Sequence, residues 1–400
     1  MISYRDAQQI VIQRARSFGR EKIGLGEAYG RVLAEQVLAD RDYPPFNRST
    51  MDGYALCYAD LERNVRRFRI VETIYAGAKA SRPALPGECY KIMTGAPVPV
   101  EMDIVIRREE TEEEGDVMIL RGSANLLPAE RQPFSNIARQ GEDMRLGDTV
   151  IDGPYVCDPS VTGLLATLGK SELIVQALPR VAILTTGNEV VPADVHPTET
   201  QIRNSNRWLL QSLLQSRGIS VSLSQHAADD KAALNDCVHQ ALSCDLLIVS
   251  GGVSAGDADH VPDVLEGSGI QKLFHKIAIK PGKPVWCGVA PSGTMVFALP
   301  GNPFSCLVNF VLLIQPYLNA CFGLPVAEPP GLPLASSKKK KTPLDEFFPV
   351  RLHGSPGRLV QAPLNGSGDI RLGLSANALA LHPADSGDLP EGTTVACYAI

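Results

Sequence analysis

LLIVSGGVSAGDADH, residues 246–260, ends a short apolar run in two glycines, a serine and two aspartates. Residues 246–249 read as a strand covered on both faces, because a parallel sheet flanked by helices buries both sides of each strand and loses the polar alternation of a half-exposed one. Gly251 and Gly252 remove side chains where the chain has to turn tightly. The bare amides of such a turn suit a phosphate, yet the carboxylates of Asp257 and Asp259 would repel it: two unit charges about 4 Å apart at an effective dielectric of about 20 cost roughly 4 kcal/mol. Two readings stay open here. Either the aspartates face water on a surface turn, or a cation such as Mg2+, which takes oxygen ligands from one or two carboxylates plus substrate phosphate, reconciles the charges.

Working outward, residues 180–185 (RVAILT) form another apolar run. A helix is predicted over 204–218, with Trp208, Leu209, Leu213 and Leu214 on its apolar face and Gly218 as its stop. Ile219, Val221 and Leu223 alternate as a strand does. A second helix from Asp230 carries Ala233, Leu234, Cys237, Val238, Ala241 and Leu242 as its stripe and leads into 246–249. This alternation predicts a three-layer α/β domain with a mostly parallel sheet, in which ligands sit beyond the carboxyl ends of strands. SGGVSAGDAD, TTGNE (185–189) and ALPGNP (298–303) all lie at such ends.

The flanks read differently. Four hundred residues exceed one ordinary core and predict three or four domains, at roughly 100 to 150 residues each. The expected division is a small helical/β domain split between 1–42 and 140–172, an inserted all-β domain over 43–139, the α/β domain over 173–323, and a C-terminal β-barrel-like domain over 324–400, reached through a proline-rich linker at 325–335. At the N-terminus, Ser3 and Asp6 form a cap pattern ahead of Ala7, Ile10, Val11, Ala15 and Phe18, which predicts an amphipathic helix rather than a signal peptide. Residues 304–323 carry no charge, but Asn309, Gln315 and Pro316 interrupt them, which favours a buried core helix over a membrane span. The four lysines at 338–341 read as a solvated edge or loop. A net charge of -6 argues against a surface built for nucleic acid, and nine scattered cysteines with no C-x-x-C pair fit reduced, buried thiols in a cytoplasmic protein.

No Walker loop, H-E-x-x-H or G-x-S-x-G occurs. What remains is a set of short segments rich in acids, hydroxyls and lysines: STMDGYA (49–55), KIMTGAPVP (91–99), RQGED (139–143), TTGNE, SGGVSAGDAD, KIAIKPGKP (276–284) and LPGNPFS (299–305). Each alone is an ordinary Gly/Pro turn. Lys276, Lys280 and Lys283 in a proline-stiffened loop suit an oxyanion, or else neutralise neighbouring surface acids.

Together, PPFNRSTMDGYA, MTGAPVP, GEDM, TTGNE, SGGVSAGDAD, KIAIKPGKP and ALPGNPFS, followed by GSGDIRLGLSANAL near the C-terminus, resemble the molybdopterin molybdenumtransferase family, which includes MoeA and the gephyrin E-domain. The resemblance runs over nearly the whole chain. It implies an elongated homodimer of four-domain subunits that inserts molybdate into adenylated molybdopterin and releases AMP in a Mg2+-dependent step. By motif, it implies catalytic roles for Asp52, Thr94, Asp143, Glu189 and Asp259, a magnesium site of Glu189, Asp257 and Asp259, and substrate contacts from Ser254, Lys276, Lys280, Lys283, Pro300 and Pro303. Asp52, Thr94 and Asp143 would face the α/β domain of the partner subunit. A molybdopterin adenylyltransferase and cofactor-receiving enzymes are the further partners implied; no nucleic acid or membrane is. Three departures stand out: Asn188 where relatives often have aspartate, Asn47 and Arg48 before the MDGYA segment, and Pro349 where an arginine is common, with Arg351 two residues on along the same strand face. Two other functions compete: an adenylyltransferase sharing the α/β fold, which would lack the remaining domains, and a gephyrin-like scaffold that has lost catalysis.

Overall fold

The computed structural model describes residues 1–121, 132–253, 260–353, 357–371 and 373–400. It divides into two compact units, one made of Met1–Ala34, Pro154–Thr162 and Glu172–Ile400, the other of Glu35–Gly153 and Gly163–Ser171.

The larger unit is organised by a six-stranded sheet. In chain order its strands are β1 (Val181–Thr186), β2 (Val221–Ala227), β3 (Leu246–Ser250), β4 (Gln271–His275), β5 (Trp286–Val289) and β6 (Met295–Leu299). Their spatial order is β2-β1-β3-β6-β5-β4, parallel through β6 and antiparallel at β5 and β4. Every residue of β1, β3 and β6 is buried, as the unbroken apolar runs predict for strands covered twice. Alternation along β1 distributes its side chains between two cores. Val181 and Ile183 join Leu210, Leu214 and the 303–321 helix; Ala182 and Leu184 join Leu234, Val238 and Leu265.

Helix α1 (Ser205–Gln215) starts at Asn204, whose side chain accepts from the Arg207 N–H at 3.1 Å; α2 (Lys231–Ala241) is capped likewise by Asp230 on Ala233 at 2.9 Å. The buried face of α1 is the predicted one only in part: Leu214 is buried and Leu209 and Leu213 pack partly on the same core, but Asn206 and Leu210 join it and Trp208 is 49% exposed. Positions four apart share a helix face, and Trp208 lies about 200° round from Asn206.

Residues Pro303–Cys321 form one helix, as expected, with a π turn at Phe310–Ile314 between Asn309 and Gln315. It is long and apolar enough to cross a membrane, but 83% of its most apolar window is buried inside the protein. The N-terminal helix stops at Ile12, short of the prediction; Ala15 and Phe18 lie beyond it and pack on the same core, Phe18 edge-on to Phe322 at 6.2 Å. A four-stranded antiparallel sheet combines Arg20–Gly24 and Val32–Leu33 with Tyr155–Val156 and Glu172–Gln176, joining chain from before and after residues 35–153.

The C-terminal residues supply five strands of a second six-stranded β structure, built around Asp345–His353, Ala378–His382 and Thr394–Ala399; the sixth is Ile279–Lys280, parallel to Asp345–His353. Two expectations are corrected here. The proline-rich stretch is partly an edge strand, Gly331–Pro333 pairing with Thr394–Ala399, because its prolines tolerate an edge where N–H donors are not required. Lys338 is not solvated: its side chain is only 7% exposed, its Nζ lies 2.8 Å from Glu346, and it sits 4.7 Å from the centre of the Phe348 ring. An adjacent carboxylate and a ring face make that burial tolerable.

The smaller unit centres on a sheet ordered Ile104–Arg107, Gly53–Leu56, Glu88–Ile92, Arg67–Ile74, Val117–Leu120, Thr111–Glu114, with Tyr54, Phe68, Tyr90 and Ile104 in its core. One short helix, Tyr58–Glu62, accompanies it. The chain is thus a multidomain α/β plus β protein.

Candidate active site

The carboxyl ends of β1, β3 and β6 meet in a cradle. Gly251 and Gly252 have φ of 106° and 64°, and a Cβ on either would lie 2.7 Å from a neighbour: from Thr186 Oγ1 at Gly251, from Val261 at Gly252. No larger residue fits this turn. Thr186 Oγ1 is buried and has no hydrogen-bond partner among the described residues. A buried hydroxyl left unpaired costs about 1–3 kcal/mol, so this one, beside a glycine turn, is a donor that a bound ligand could satisfy.

A polar network holds the three strand ends in register. Asn206 Nδ2 donates to Ser250 Oγ at 2.9 Å and to the Gly301 carbonyl at 2.6 Å, and Gly251 N–H donates to Leu299 O at 3.0 Å. Cys306 donates its S–H to the Pro300 carbonyl at 2.9 Å. Burial pushes the Cys306 thiol pKa up to about 12, so it serves as a donor and not as a nucleophile. Pro300 thus closes β6, and Pro303 opens the following helix. Asn302 reaches Ser367 Oγ at 2.9 Å, tying this turn to the GSGD segment of the C-terminal β structure.

Glu189 follows on the β1 turn. Both of its carboxylate oxygens lie 2.9 Å from where a Cβ on Gly187 would stand, so the side chain folds back over that glycine while remaining exposed. Asn188 is engaged structurally: its Oδ1 accepts from Asp229 N–H, and its own N–H donates to Asp229 Oδ2, each at 3.1 Å.

The lysine loop lies in the same unit. Lys276 adopts φ of 68°, the Lys283 carbonyl accepts from the N–H groups of Ile277 and Val285, and the Gly282 carbonyl accepts from Asn309 Nδ2 at 3.1 Å. Asn309 is fully buried in the core helix, so the loop is anchored from within. Lys280 and Lys283 are exposed and Lys276 half-buried, and none makes an ion pair with an acid among the described residues. That favours cations kept for a ligand over cations spent on neighbouring acids. Of two arginines in the C-terminal β structure, Arg371 is held bidentately by Asp369 at 3.0 and 2.8 Å, whereas Arg351 is exposed. Pro349 is buried in its strand opposite Leu379, a position from which no cation is offered.

In the smaller unit, Asp52 and Thr94 come together. Thr94 donates to Asp52 Oδ1 from its N–H at 2.7 Å and from its hydroxyl at 2.8 Å, and these bonds hold the exposed Asp52 carboxyl below the usual carboxylate range. Asp143 is exposed on the turn after Gly141, its N–H bonded to Tyr43 O at 2.9 Å. Asn47, one of the departures noted above, accepts from Gln140 N–H at 2.9 Å and from its backbone carbonyl binds Val98, lacing the three segments together. Ser254, Asp257 and Asp259 lie outside the described residues. Among the described ones, no three His, Cys, Asp or Glu side chains converge at metal-binding distance.

Sequence reading passed over Thr186 and Asn206. Thr186 belongs to the quoted TTGNE but differs from its neighbours only by facing the glycine turn. Asn206 left a usable signal, since an asparagine shares the 206/210/214 face with two buried leucines.

Three family models match the chain in order: the MoeA N-terminal region (domain I and II) over 2–169, a probable molybdopterin binding domain over 182–320, and the MoeA C-terminal region (domain IV) over 332–400. The molybdopterin molybdenumtransferase of Synechocystis sp. is 34% identical over 377 residues, 92% of each chain. This chain belongs to the molybdopterin molybdenumtransferase (MoeA) family. The Synechococcus elongatus member is 34% identical over 94% of this chain and 93% of its own. Among solved MoeA structures, two of the protein from Pyrococcus horikoshii superpose with TM-scores of 0.83 and 0.79 at 27% and 29% identity, covering this whole chain. MoeA models match on both sides of the molybdopterin binding domain, which disfavours a single-domain adenylyltransferase.

Proposed function

We propose that this MoeA-family chain is a molybdopterin molybdenumtransferase acting in molybdenum cofactor biosynthesis: it binds adenylated molybdopterin and molybdate, transfers molybdenum to the pterin dithiolene, and releases AMP. The observation that carries this is the buried Thr186 hydroxyl facing the Gly251–Gly252 turn, without a partner among the described residues and suited to phosphate oxygens, in the same unit as three lysines that make no ion pair among those residues.

The residues on β1 fit a Mg2+ ion. A hard cation that keeps several waters and shares substrate phosphate needs only one or two carboxylates, and Glu189 presents its own to solvent at a strand end beside the orphaned hydroxyl. Asp257 and Asp259 would complete its shell. Bound there, Mg2+ would neutralise phosphoryl charge and make AMP a better leaving group. Thr186 and the Gly252 amide hold the phosphates, with Ser254 and the Pro300 and Pro303 turns shaping the rest. Lys276, Lys280 and Lys283 hold molybdate oxygens. The bond broken is the phosphoanhydride between the pterin phosphate and AMP; an oxygen of molybdate, or a water, forms the new bond to phosphorus as the dithiolene takes the metal. Positioning and charge neutralisation do this work without a protein nucleophile.

The division into domains at 1–42 with 140–172, 43–139, 173–323 and 324–400 belongs to the same reading. So do a cytoplasmic homodimer, in which Asp52, Thr94 and Asp143 complete the partner's site, and exchange with an adenylyltransferase and cofactor-receiving enzymes. The test is AMP release from adenylated molybdopterin. It should require molybdate and Mg2+ together; release that ignores the oxyanion would leave only a hydrolase.

A further inference from the structure

Neighbouring strand residues point to opposite sides, and Thr185 therefore faces away from the glycine cradle. On its side a cleft of about 480 Å³ opens, lined among others by Val190, Asp194, Arg207, Trp208, Ser224 and His226. It is of a size that holds a small organic ligand, and its lining begins at Val190, directly after the TTGNE turn. The features described so far leave it without a role.

Its polar groups fall into two sets. Asn204 is spent on structure: its Oδ1 caps α1, and its Nδ2 donates to Thr185 Oγ1 at 2.7 Å. The Thr185 hydroxyl has one proton and a 3.0 Å contact to His226 Nδ1, closer than the 3.4 Å to the Gln225 carbonyl, which leaves the other His226 ring nitrogen as an N–H donor. The second set is unspent. Arg207 Nε is buried and has no partner among the described residues, and the Asp194 carboxylate and Ser224 hydroxyl make no hydrogen bond there either. Beside them stands Trp208, half exposed, with the Arg207 guanidinium 5.2 Å from its ring centre.

An indole face offers stacking to a flat ring. A free carboxylate selects a ring edge with adjacent N–H and NH2 donors, and the Arg207 and His226 N–H groups select a carbonyl. A 2-amino-4-oxo pyrimidine edge carries all three. Adenine does not, since it sets an acceptor nitrogen beside its amine. We propose that this cleft seats the pterin ring of the substrate, with Trp208 as its stacking platform and Asp194 reading its amino edge. The assignment rests on the function proposed above and adds to it which end of the adenylated substrate lies on which side of the β1 turn.

Calorimetric titration of the intact protein with neopterin, and separately with AMP, tests it without turnover. Wild type should bind neopterin, and Trp208→Leu and Asp194→Asn, both at exposed positions, should each weaken it about tenfold or more, roughly 1.4 kcal/mol, while AMP affinity stays within about twofold. No heat with neopterin at millimolar concentration, variants that bind it as wild type does, or variants that lose AMP instead would each overturn the assignment. Because turnover is not read, the two failures separate: variant-sensitive neopterin binding in a protein that never releases AMP keeps the cleft and removes the proposed reaction.

Discussion

Thr186→Val replaces the orphaned hydroxyl with a methyl of similar size, and its two effects should have opposite signs. Thr186 is 7% exposed and its Oγ1 lacks a partner among the described residues, so the folded protein carries the desolvation penalty of an unpaired hydroxyl, about 1–3 kcal/mol. Removing it should leave stability unchanged or raise it by about 1 kcal/mol, where an ordinary core substitution would lower it. If the same hydroxyl donates to a charged phosphate oxygen of the substrate, its loss costs about 1.5–3 kcal/mol of binding, or roughly ten- to more than a hundredfold in affinity. Urea unfolding followed by the fluorescence of Trp286, which is fully buried in the core behind the sheet, reads the first effect; half-saturation by adenylated molybdopterin in AMP release reads the second. A variant that is destabilised by more than about 1 kcal/mol yet turns over normally would show that the hydroxyl serves the fold and not the ligand.

Four further outcomes are expected. Lys280→Gln or Lys283→Gln should fold normally, both side chains being exposed, and should raise the molybdate concentration for half-maximal AMP release by roughly ten- to more than a hundredfold; an unchanged requirement in both would move the oxyanion elsewhere, with Arg351 the next cation to test. Asp259→Asn should keep its stability and lose activity at limiting Mg2+, and full activity there would end its metal role. Mixing Asp52→Ala with Glu189→Ala subunits should restore partial activity in verified heterodimers, and none would return if one chain supplies both residues. Thr94→Val removes one of the two bonds that depress the Asp52 pKa, so carbon NMR should find this carboxyl titrating at higher pH. Because the folded value is the depressed one, whatever stability the interaction gives is present above the unfolded pKa and is lost as pH falls through the folded one.

The α/β sheet was legible because β1, β3 and β6 are buried on both faces, and short β-branched apolar runs like VAILTT and LLIVS, ended by glycines and set between helices, are what such strands leave in a sequence. The helix starts at Ser3, Asn204 and Asp230 were legible too, and each of these side chains caps its helix by local hydrogen bonding. The orientation of Trp208 was not, since helical spacing leaves a broad apolar stripe and tertiary packing chose 206/210/214 within it. Lys338 was misread because four consecutive lysines look solvated until Glu346, eight residues later, returns on a neighbouring strand to neutralise the first of them. Asp52 and Thr94 were individually visible in their motifs, but their 2.7 Å contact joins residues 42 apart and needed the fold to appear. The cleft beside Trp208 had no motif at all, because it is assembled from three separate elements.

The proposed reaction is tested most directly by its stoichiometry. Purified protein supplied with adenylated molybdopterin, molybdate and Mg2+ should yield one pterin-bound molybdenum for each AMP released, with metal content and nucleotide measured on the same sample, and both should fall together to background when molybdate or Mg2+ is withheld. AMP appearing without molybdenum on the pterin, or molybdenum loading that proceeds while the adenylate stays intact, would contradict it.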